Sequence, residues 1–592
     1  MSEGRAQKKN AKRHERGSLM TGAQAVISSL EAEGVELIFG YPGGSVLAIY
    51  DALYASSIRH VTARHEQGAV HEADGYARAT SKVGVVLVTS GPGASNTVTG
   101  IATAYMDSVP LVIVTGQVPT TMIGTDAFQE SDIMGMSMPV VKHSFLVKAA
   151  EQLPETFRAA FHIARTGRPG PVLIDIPSDV AAQTLEFSYP STINLPSYKP
   201  TYKGNARQIK QAVAALSRAQ RPVILAGGGI VSSGARAELH ELAHTLNVPV
   251  VTTLMGKGVL PEDDPLLFGF AGMHGSHFAN QALCEADVLL ACGTRFSDRV
   301  TGDPQYFAPD ARIIHIDIDP AEIGKVIPVD VPIVGDARTV LAALLERLEK
   351  EDVNIDTHAW LTHLERLRAR YPFDRGTETL ACGLSPELVC AKLSERLDPL
   401  ASIVTTEVGQ HQMWAAQLVE RDVPRSFITS GGLGTMGFGF PAAIGAALGR
   451  PEKQVVCIAG DGSFQMCEQE MATAVEQNAQ VKVLIFDNRS LGMVRQQQEL
   501  FCGGRYIATK LGAVPDFVKL ADAYGWHANR IDDPAKLDEA LDDLLASEGP
   551  ALLDVMVASK RNVYPMVVPG GRLDEALGVL DLGADEETEE AR

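Results

Sequence analysis

The feature that most restricts how this chain can fold is an alternation repeated from end to end. Short runs of β-branched, apolar residues end in Gly or Asp and lead into Ala-rich segments of helical spacing. In a first block Leu37-Ile38-Phe39-Gly40, Val83–Thr89 and Leu111–Gly116 read as strands. A second block has Val223–Ala226, Val288–Ala291 and Ile313–Ile318, and a third has Ile403–Thr405, Val455–Ala459, Val481–Phe486 and Leu552–Val557. Strands that are apolar throughout need cover on both faces, and strands alternating with helices pair in parallel. The expected fold class is therefore α/β, with three doubly wound parallel-sheet domains.

Residues 187–203, with Pro190, Pro196 and Pro200 among Ser, Tyr and Asn, read as a linker, and 351–385, with Pro372 and Gly376, as a second. The expected organisation is a basic tail over 1–17, domains over 18–188, 204–350 and 385–560, and a C-terminal loop and acidic tail over 561–592. The basic tail lacks the apolar core of a signal peptide. No apolar run reaches the ~18 residues of a bilayer span. With 72 acidic against 52 basic side chains, the net charge of −20 argues against nucleic acid or an anionic membrane as partner. The cysteines at 284, 292, 382, 390, 457, 467 and 502 include no C-x-x-C pair and read as reduced thiols of a cytoplasmic protein.

The most specific chemical signal lies in the third block. The run Val455–Ala459 leads into Gly460-Asp461-Gly462-Ser463, a helix is expected over roughly 467–477, and Val481–Phe486 ends in Asp487-Asn488. One βαβ crossover separates Asp461 from Asn488, so they should stand side by side at the carboxyl ends of neighbouring parallel strands, where such sheets bind ligands. Gly460 and Gly462 let backbone N–H groups approach phosphate oxygens. A carboxylate and an amide oxygen suit Mg²⁺, which shares hard oxygens with substrate phosphates. The bland alternative is a Gly-Asp-Gly turn beside an unrelated Asn.

This pairing resembles the signature of thiamine-diphosphate enzymes, G-D-G followed by Asn after a crossover. The resemblance implies a third metal ligand from the backbone of Ser490, beside Asp461 and Asn488. It also assigns Arg64-His65-Glu66-Gln67-Gly68-Ala69, followed by Ala73-Asp74-Gly75-Tyr76-Ala77-Arg78, to the glutamate segment of these enzymes. Glu66 would then hydrogen-bond the aminopyrimidine of the cofactor; on position alone it favours only the dipole at a helix N-terminus. Met436, in Gly434-Thr435-Met436-Gly437, matches the apolar residue that props the cofactor. The family takes the glutamate from one subunit and the diphosphate anchor from the next, so a homodimer, or a dimer of dimers, is implied.

Over residues 18–572 the chain resembles acetohydroxyacid synthase (acetolactate synthase), catalytic subunit. Tyr41-Pro42-Gly43-Gly44, Gly116-Gln117-Val118-Pro119, Ile123–Glu130 and Gly409–Gln417 carry the likeness. It implies that Gly44 and Gln129 lie near the cofactor. It also implies that Gln410, His411, Gly434, Met436, Gly462, Ser463, Met493 and Val494 hold thiamine diphosphate.

The middle block resembles the family's FAD domain. Gly227-Gly228-Gly229 after a strand is a nucleotide turn, weak by itself, and Asp317 at a strand end suits a ribose hydroxyl. Ser108, Arg168, Gly228, Thr253, Leu254, Gly272, Met273, His274, Gly293, Arg295, Asp317, Ile318 and Asp336 are implied as FAD contacts, the flavin being architectural because the reaction is redox-neutral. Asp298-Arg299 resembles the acceptor-binding pair, and Arg299 suits bidentate capture of a carboxylate; the bland alternative is a surface ion pair. Lys142 matches a substrate-site lysine.

The implied reaction decarboxylates pyruvate and condenses the two-carbon unit with pyruvate or 2-ketobutyrate, to acetolactate or acetohydroxybutyrate, in branched-chain amino-acid biosynthesis. A separate regulatory small subunit is implied. An FAD-dependent pyruvate oxidase, or another thiamine-dependent carboligase, is the alternative. One departure stands out: Gln497 occupies a place where most of the family has Trp.

Overall fold

The computed structural model describes residues 17–376 and 383–583. Most of the basic tail, Cys382 and the acidic run Asp585–Glu590 lie outside the described residues.

The first eight strands are β1 (Ser18–Thr21), β2 (Leu37–Tyr41), β3 (Arg59–Thr62), β4 (Gly84–Val88), β5 (Leu111–Gln117), β6 (His143–Leu146), β7 (Val172–Pro177) and β8 (Thr184–Phe187). Six of them form a parallel sheet in the order β3-β2-β4-β5-β7-β6, and β1 pairs with β8 antiparallel. A second parallel sheet takes β9 (Pro222–Ala226), β10 (Val250–Thr252), β11 (Leu267–Phe270), β12 (Val288–Cys292), β13 (Arg312–Asp317) and β14 (Val331–Val334), in the order β11-β10-β9-β12-β13-β14. The third takes β15 (Ser402–Thr406), β16 (Phe427–Thr429), β17 (Gln454–Gly460), β18 (Val481–Asp487), β19 (His527–Ile531) and β20 (Ala551–Met556), in the order β16-β15-β17-β18-β20-β19. The architecture is the expected one, three doubly wound parallel sheets.

The strand orders separate the sheets into two kinds. Counted from each sheet's own first strand, the outer two share the order 2-1-3-4-6-5, whereas the middle one has 3-2-1-4-5-6, the order of dinucleotide-binding folds. The strands that composition alone revealed are the buried central ones, such as β4, β12 and β17, whose residues are nearly all inaccessible. Edge strands such as β6 (His-Ser-Phe-Leu) and β19 (His-Ala-Asn-Arg-Ile) were not expected, because an exposed edge tolerates polar residues.

Three segments differ from expectation. The helix expected over 467–477 is a 3₁₀ turn, Glu468–Glu470, leading into a shorter helix, Met471–Glu476. The second presumed linker contains the helix His358–Arg370, which buries Trp360 and Leu364 against the middle domain; the Trp360 indole donates to the Pro222 carbonyl at 3.1 Å. The C-terminal loop is a strap that buries Val563, Met566, Val567 and Leu573, with the Val567 N–H on the Met273 carbonyl at 2.8 Å.

The first and third domains meet along two helices, Glu66–Thr80 and Gly439–Gly449. Their backbones approach so closely that a Cβ on Gly75 would run into the Ala442 carbonyl, and one on Gly445 into the Glu72 carbonyl. Glycine is required at both places.

Candidate active site

The carboxyl end of the third sheet holds a small cleft lined by Gln410, His411, Met436, Asp461, Asn488 and Ser490 among others. Gly460 pairs with Phe486 at the ends of β17 and β18, so Asp461 and Asn488 leave adjacent strands side by side. Gly462 donates to Asp461 Oδ1 at 2.9 Å, and the Ser463 hydroxyl closes the turn on the Gly460 carbonyl at 3.2 Å. The turn cannot widen, because a Cβ on Gly460 would meet His411 Nδ1 at 2.8 Å and one on Gly462 would meet Leu491 at 2.7 Å. Ser490 donates its N–H to Asn488 Oδ1 at 2.9 Å and its hydroxyl to the Thr509 carbonyl at 2.9 Å.

Several polar atoms in this cleft, and one of Asp487 beside it, lack partners. Asp461 Oδ2, Asp487 Oδ2, Gln410 Oε1 and His411 Nε2 are all buried without a hydrogen bond. Leaving a buried polar group unpaired costs about 1–3 kcal/mol each, so four together mark a place built for a ligand. Burial and the neighbouring Asp487 carboxylate push the Asp461 carboxyl well above the usual carboxylate range. A divalent cation between these groups removes that cost. Gln410 and His411 open the helix Gln410–Leu418, and the Gln410 amide is set by Gln496 Oε1 at 2.8 Å and the Arg561 carbonyl at 3.0 Å.

Met436, Met493 and Val494 line this cleft and also a much larger cavity, of about 850 Å³, between the three domains. Ser108, Arg168, Gly228, Thr253, Leu254, Met273, His274, Gly293, Arg295, Asp317, Ile318, Asp336 and Gly434 all reach its wall. Arg168 is held by the Ser108 hydroxyl at 2.8 Å and by Glu322 at 2.7 Å; burial, reinforced by Arg168, holds the Arg295 guanidinium below its ordinary range. Burial raises Asp317 to about 6 and lowers His274, whose Nδ1 faces the Pro565 carbonyl at 3.1 Å, to about 4. Asp336 also caps the helix Ala337–Lys350 through Thr339 N–H. Gly272 stands behind this wall instead of in it, with φ +124° and its N–H on Asn280 Oδ1 at 2.9 Å. Arg299 reaches the cavity half exposed, its nearest partner being Asp298 at 3.1 Å, and Gln497 stands on the same wall.

Besides Gly272, four expected residues line neither space. Glu66 opens the helix Glu66–Thr80 half-buried, and its Oε2 accepts from Asn96 Nδ2 at 2.9 Å. Gln129, at φ +59°, packs its backbone against Gly91, and Gly44 opens a short 3₁₀ turn after β2. Lys142 is tied to the Thr166 carbonyl at 2.8 Å, the Tyr198 hydroxyl at 2.9 Å and the Ile163 carbonyl, and burial drops it to about 7.

Comparison with known families bears directly on this geometry. The chain matches the profiles of the thiamine pyrophosphate enzyme N-terminal TPP-binding domain over residues 20–136, the central domain over 209–344 and the C-terminal TPP-binding domain over 407–555. It is 52% identical over 566 residues to a probable acetolactate synthase large subunit of Methanocaldococcus jannaschii, with 94% of each chain covered. It is 49% identical over 567 residues to the acetolactate synthase large subunit of Corynebacterium glutamicum (93% of this chain, 89% of that one). It is 47% identical over 568 residues to the isozyme 3 large subunit of Escherichia coli (94% and 98%). The chain belongs to the acetolactate synthase large-subunit family of thiamine pyrophosphate enzymes.

For a member of this family, sequence reasoning missed the charged groups that hold the loops of the site, one set joining the first and third domains and one inside the third. Arg78, largely buried, bonds Asp74 at 2.6 Å and Asp107 at 2.9 Å, and Asp107 accepts the Gly432 N–H at 2.7 Å. That chain of contacts fixes the loop carrying Gly434 and Met436 to the first domain. Glu407, buried after β15, accepts the N–H groups of Gly437, Phe438 and Phe440, and burial raises it to about 7. The only signal was a carboxylate closing the apolar run Ile403–Thr406. Among the described residues no helix is long and apolar enough to cross a membrane.

Proposed function

We propose that this chain is the catalytic subunit of an acetolactate synthase, which decarboxylates pyruvate and joins the two-carbon unit to a second pyruvate or to 2-ketobutyrate. The observation that carries the reading is the cleft with three unpaired polar atoms in its wall and a fourth, on Asp487, beside it, sharing Met436, Met493 and Val494 with the large cavity. Asp461, Asn488 and the Ser490 backbone would hold Mg²⁺, and through it the diphosphate, with Gln410 and His411 on its other side. FAD would lie in the large cavity, against the dinucleotide-type sheet, with Arg168 and Arg295 facing its diphosphate.

Thiamine diphosphate, when bound, supplies an electron sink for breaking and making bonds next to a carbonyl carbon. The chain's own residues do the rest. Glu66, oriented by Asn96, holds or releases a proton at the aminopyrimidine nitrogen. Arg299 holds the carboxylate of the acceptor by paired charged hydrogen bonds. Met493 and Val494 keep water from the reacting carbons.

Within one chain, Glu66, Gly44 and Gln129 line neither the Asp461 cleft nor the large cavity. Large apolar side chains are exposed on the same domain, Tyr54 at 92% and Phe128 at 88%. Both facts favour a homodimer in which each site takes Glu66 from one copy and Asp461 from the other, with a dimer of dimers as an extension. The relatives' designation as large subunits favours a small regulatory partner. The six described cysteines are all free, which suits the cytoplasm.

The test is incubation of the purified protein with pyruvate, thiamine diphosphate, Mg²⁺ and FAD. Accumulation of acetolactate supports the proposal. Formation of acetate or acetyl phosphate, with bleaching of the flavin on the catalytic timescale, would replace it with an oxidase.

A further inference from the structure

Outside the site described above, one cluster brings together ligand-type side chains from two separate elements. His240 and His244 lie one turn apart on the helix Arg236–Leu246, so both rings leave the same face. Their ring centroids are 4.2 Å apart. Asp264 comes from the turn just before β11 and meets them from the sheet side. Its Oδ2 is 3.1 Å from His244 Nε2 and 3.8 Å from His240 Nε2. Among the described residues, this is the one set of three such side chains whose ligand atoms all lie within 4.8 Å of one another.

From this arrangement we propose that His240, His244 and Asp264 form a binding site for a borderline transition-metal dication, Zn²⁺ in the first place. A tetrahedral Zn²⁺ with bonds of ~2.0–2.1 Å needs ligand atoms ~3.4 Å apart. The two measured separations bracket that value, so small side-chain rotations close the site. Two imidazole nitrogens and one carboxylate oxygen suit Zn²⁺, Ni²⁺ or Cu²⁺ and suit Mg²⁺ poorly, which separates this site from the cleft at Asp461.

The carboxylate is already set for the task. Asp264 is 5% exposed in its side chain, and its Oδ1 accepts the Leu266 N–H at 2.9 Å, which leaves Oδ2 aimed at the histidines. Such orientation of a ligand by its own hydrogen bonds is what tunes metal sites. The histidines are half exposed, so an ion can enter, and a fourth position remains for water. Because Asp264 precedes an edge strand, the ion would clamp the helix to the rim of the middle sheet. None of the three residues borders the cofactor spaces.

The experiment uses the full chain, stripped by chelator and reloaded with Mg²⁺ and thiamine diphosphate so that the Asp461 cleft is filled. Zn²⁺ is then titrated by calorimetry, and Co²⁺ by its visible absorption. The expected result is one equivalent bound, a Co²⁺ band of tetrahedral intensity, and a rise in Tm. His240→Ala and His244→Ala should each weaken binding by about 10–100-fold or more, and the double variant should abolish the band. Both changes place a strong helix former at an exposed position, so folding and acetolactate formation should be unchanged. Failure of Zn²⁺ to bind, or equal binding by the double variant, would overturn the proposal.

Discussion

The first and third sheets have the same strand order but carry their carboxylates at different strand ends. In the third, the turn after its third strand carries Asp461, and the next strand ends in Asp487-Asn488. In the first, the matching turn after β4 reads Thr89-Ser90-Gly91-Pro92, and β5 ends in Gln117, with no carboxylate at either place. The first sheet has Glu66 at its edge instead, after β3, two strands away from β4. After the corresponding strand β16 the third sheet has Ser430-Gly431-Gly432, again without an acid. Shared topology therefore supplies two loop platforms, and in the function proposed above the placement of single carboxylates decides which end of the ligand each one meets. A diphosphate with its metal needs two oxygens from adjacent central strands. A ring nitrogen needs one carboxyl held by a neighbour.

The largest test of this contrast is Asp461→Ala, which should abolish Mg²⁺-dependent thiamine diphosphate binding in a fluorescence titration; unchanged affinity would end the metal assignment. Next comes mixing. Glu66→Gln and Asp461→Ala chains, each inactive alone, should recover about a quarter of wild-type activity when unfolded and refolded together in equal amounts. Half of random dimers are mixed, and each mixed dimer has one intact site of two. No recovery would mean that the two carboxylates serve one chain's own site. Glu66→Gln by itself should leave cofactor affinity near normal and slow turnover about 10²–10⁴-fold, the usual worth of such proton transfer. Near-normal kcat would remove Glu66 from the mechanism.

A smaller effect is expected at Gln497. The resemblance places a Trp there in most relatives, packed on the extra methyl of 2-ketobutyrate, and one methyl is worth roughly 10–200-fold in selectivity. This enzyme should therefore convert competing pyruvate and 2-ketobutyrate in nearly the supplied ratio, and Gln497→Trp should raise the preference for 2-ketobutyrate. Equal product ratios in both proteins would take Gln497 out of the acceptor step.

The smallest effect belongs to the core of the first sheet. Asp175 on β7 accepts from Thr115 at 2.7 Å and Gln117 at 3.0 Å, yet burial raises it to about 7. Its folded-state value lies above the ~3.9 of an unfolded Asp. The stability it adds is full below the unfolded value and is lost as pH rises toward 7. Asp175→Asn should flatten the fall in Tm between pH 5 and pH 8; an unchanged slope would contradict the raised value.

How much of this was legible in the sequence depends on how locally each feature is made. The central strands were readable because burial on both faces demands unbroken apolar runs. The pair Asp461 and Asn488 was readable because one crossover spans it. β7 was missed although it is fully buried, since Asp175 and Pro177 interrupt its apolar run. The helix His358–Arg370 was hidden by its many charges, while Trp360 and Leu364 are buried and Leu361 and Leu367 pack half-buried on the same core.

The sequence by itself determined the α/β class, the Gly-Asp-Gly turn that brings Asp461 beside Asn488, and the glutamate that opens the helix at residue 66. Each is written in neighbouring residues, through periodicity, glycine placement or a single crossover. Only the tertiary structure decided that the middle sheet has the dinucleotide order while the outer two share another. It also decided that Arg78 and Asp107 anchor the Gly434 loop, that Glu407 is buried under three N–H groups, and that His240, His244 and Asp264 converge. The reason is physical: strand order and side-chain convergence depend on which surfaces bury one another, and contacts between residues far apart in the chain leave no local pattern.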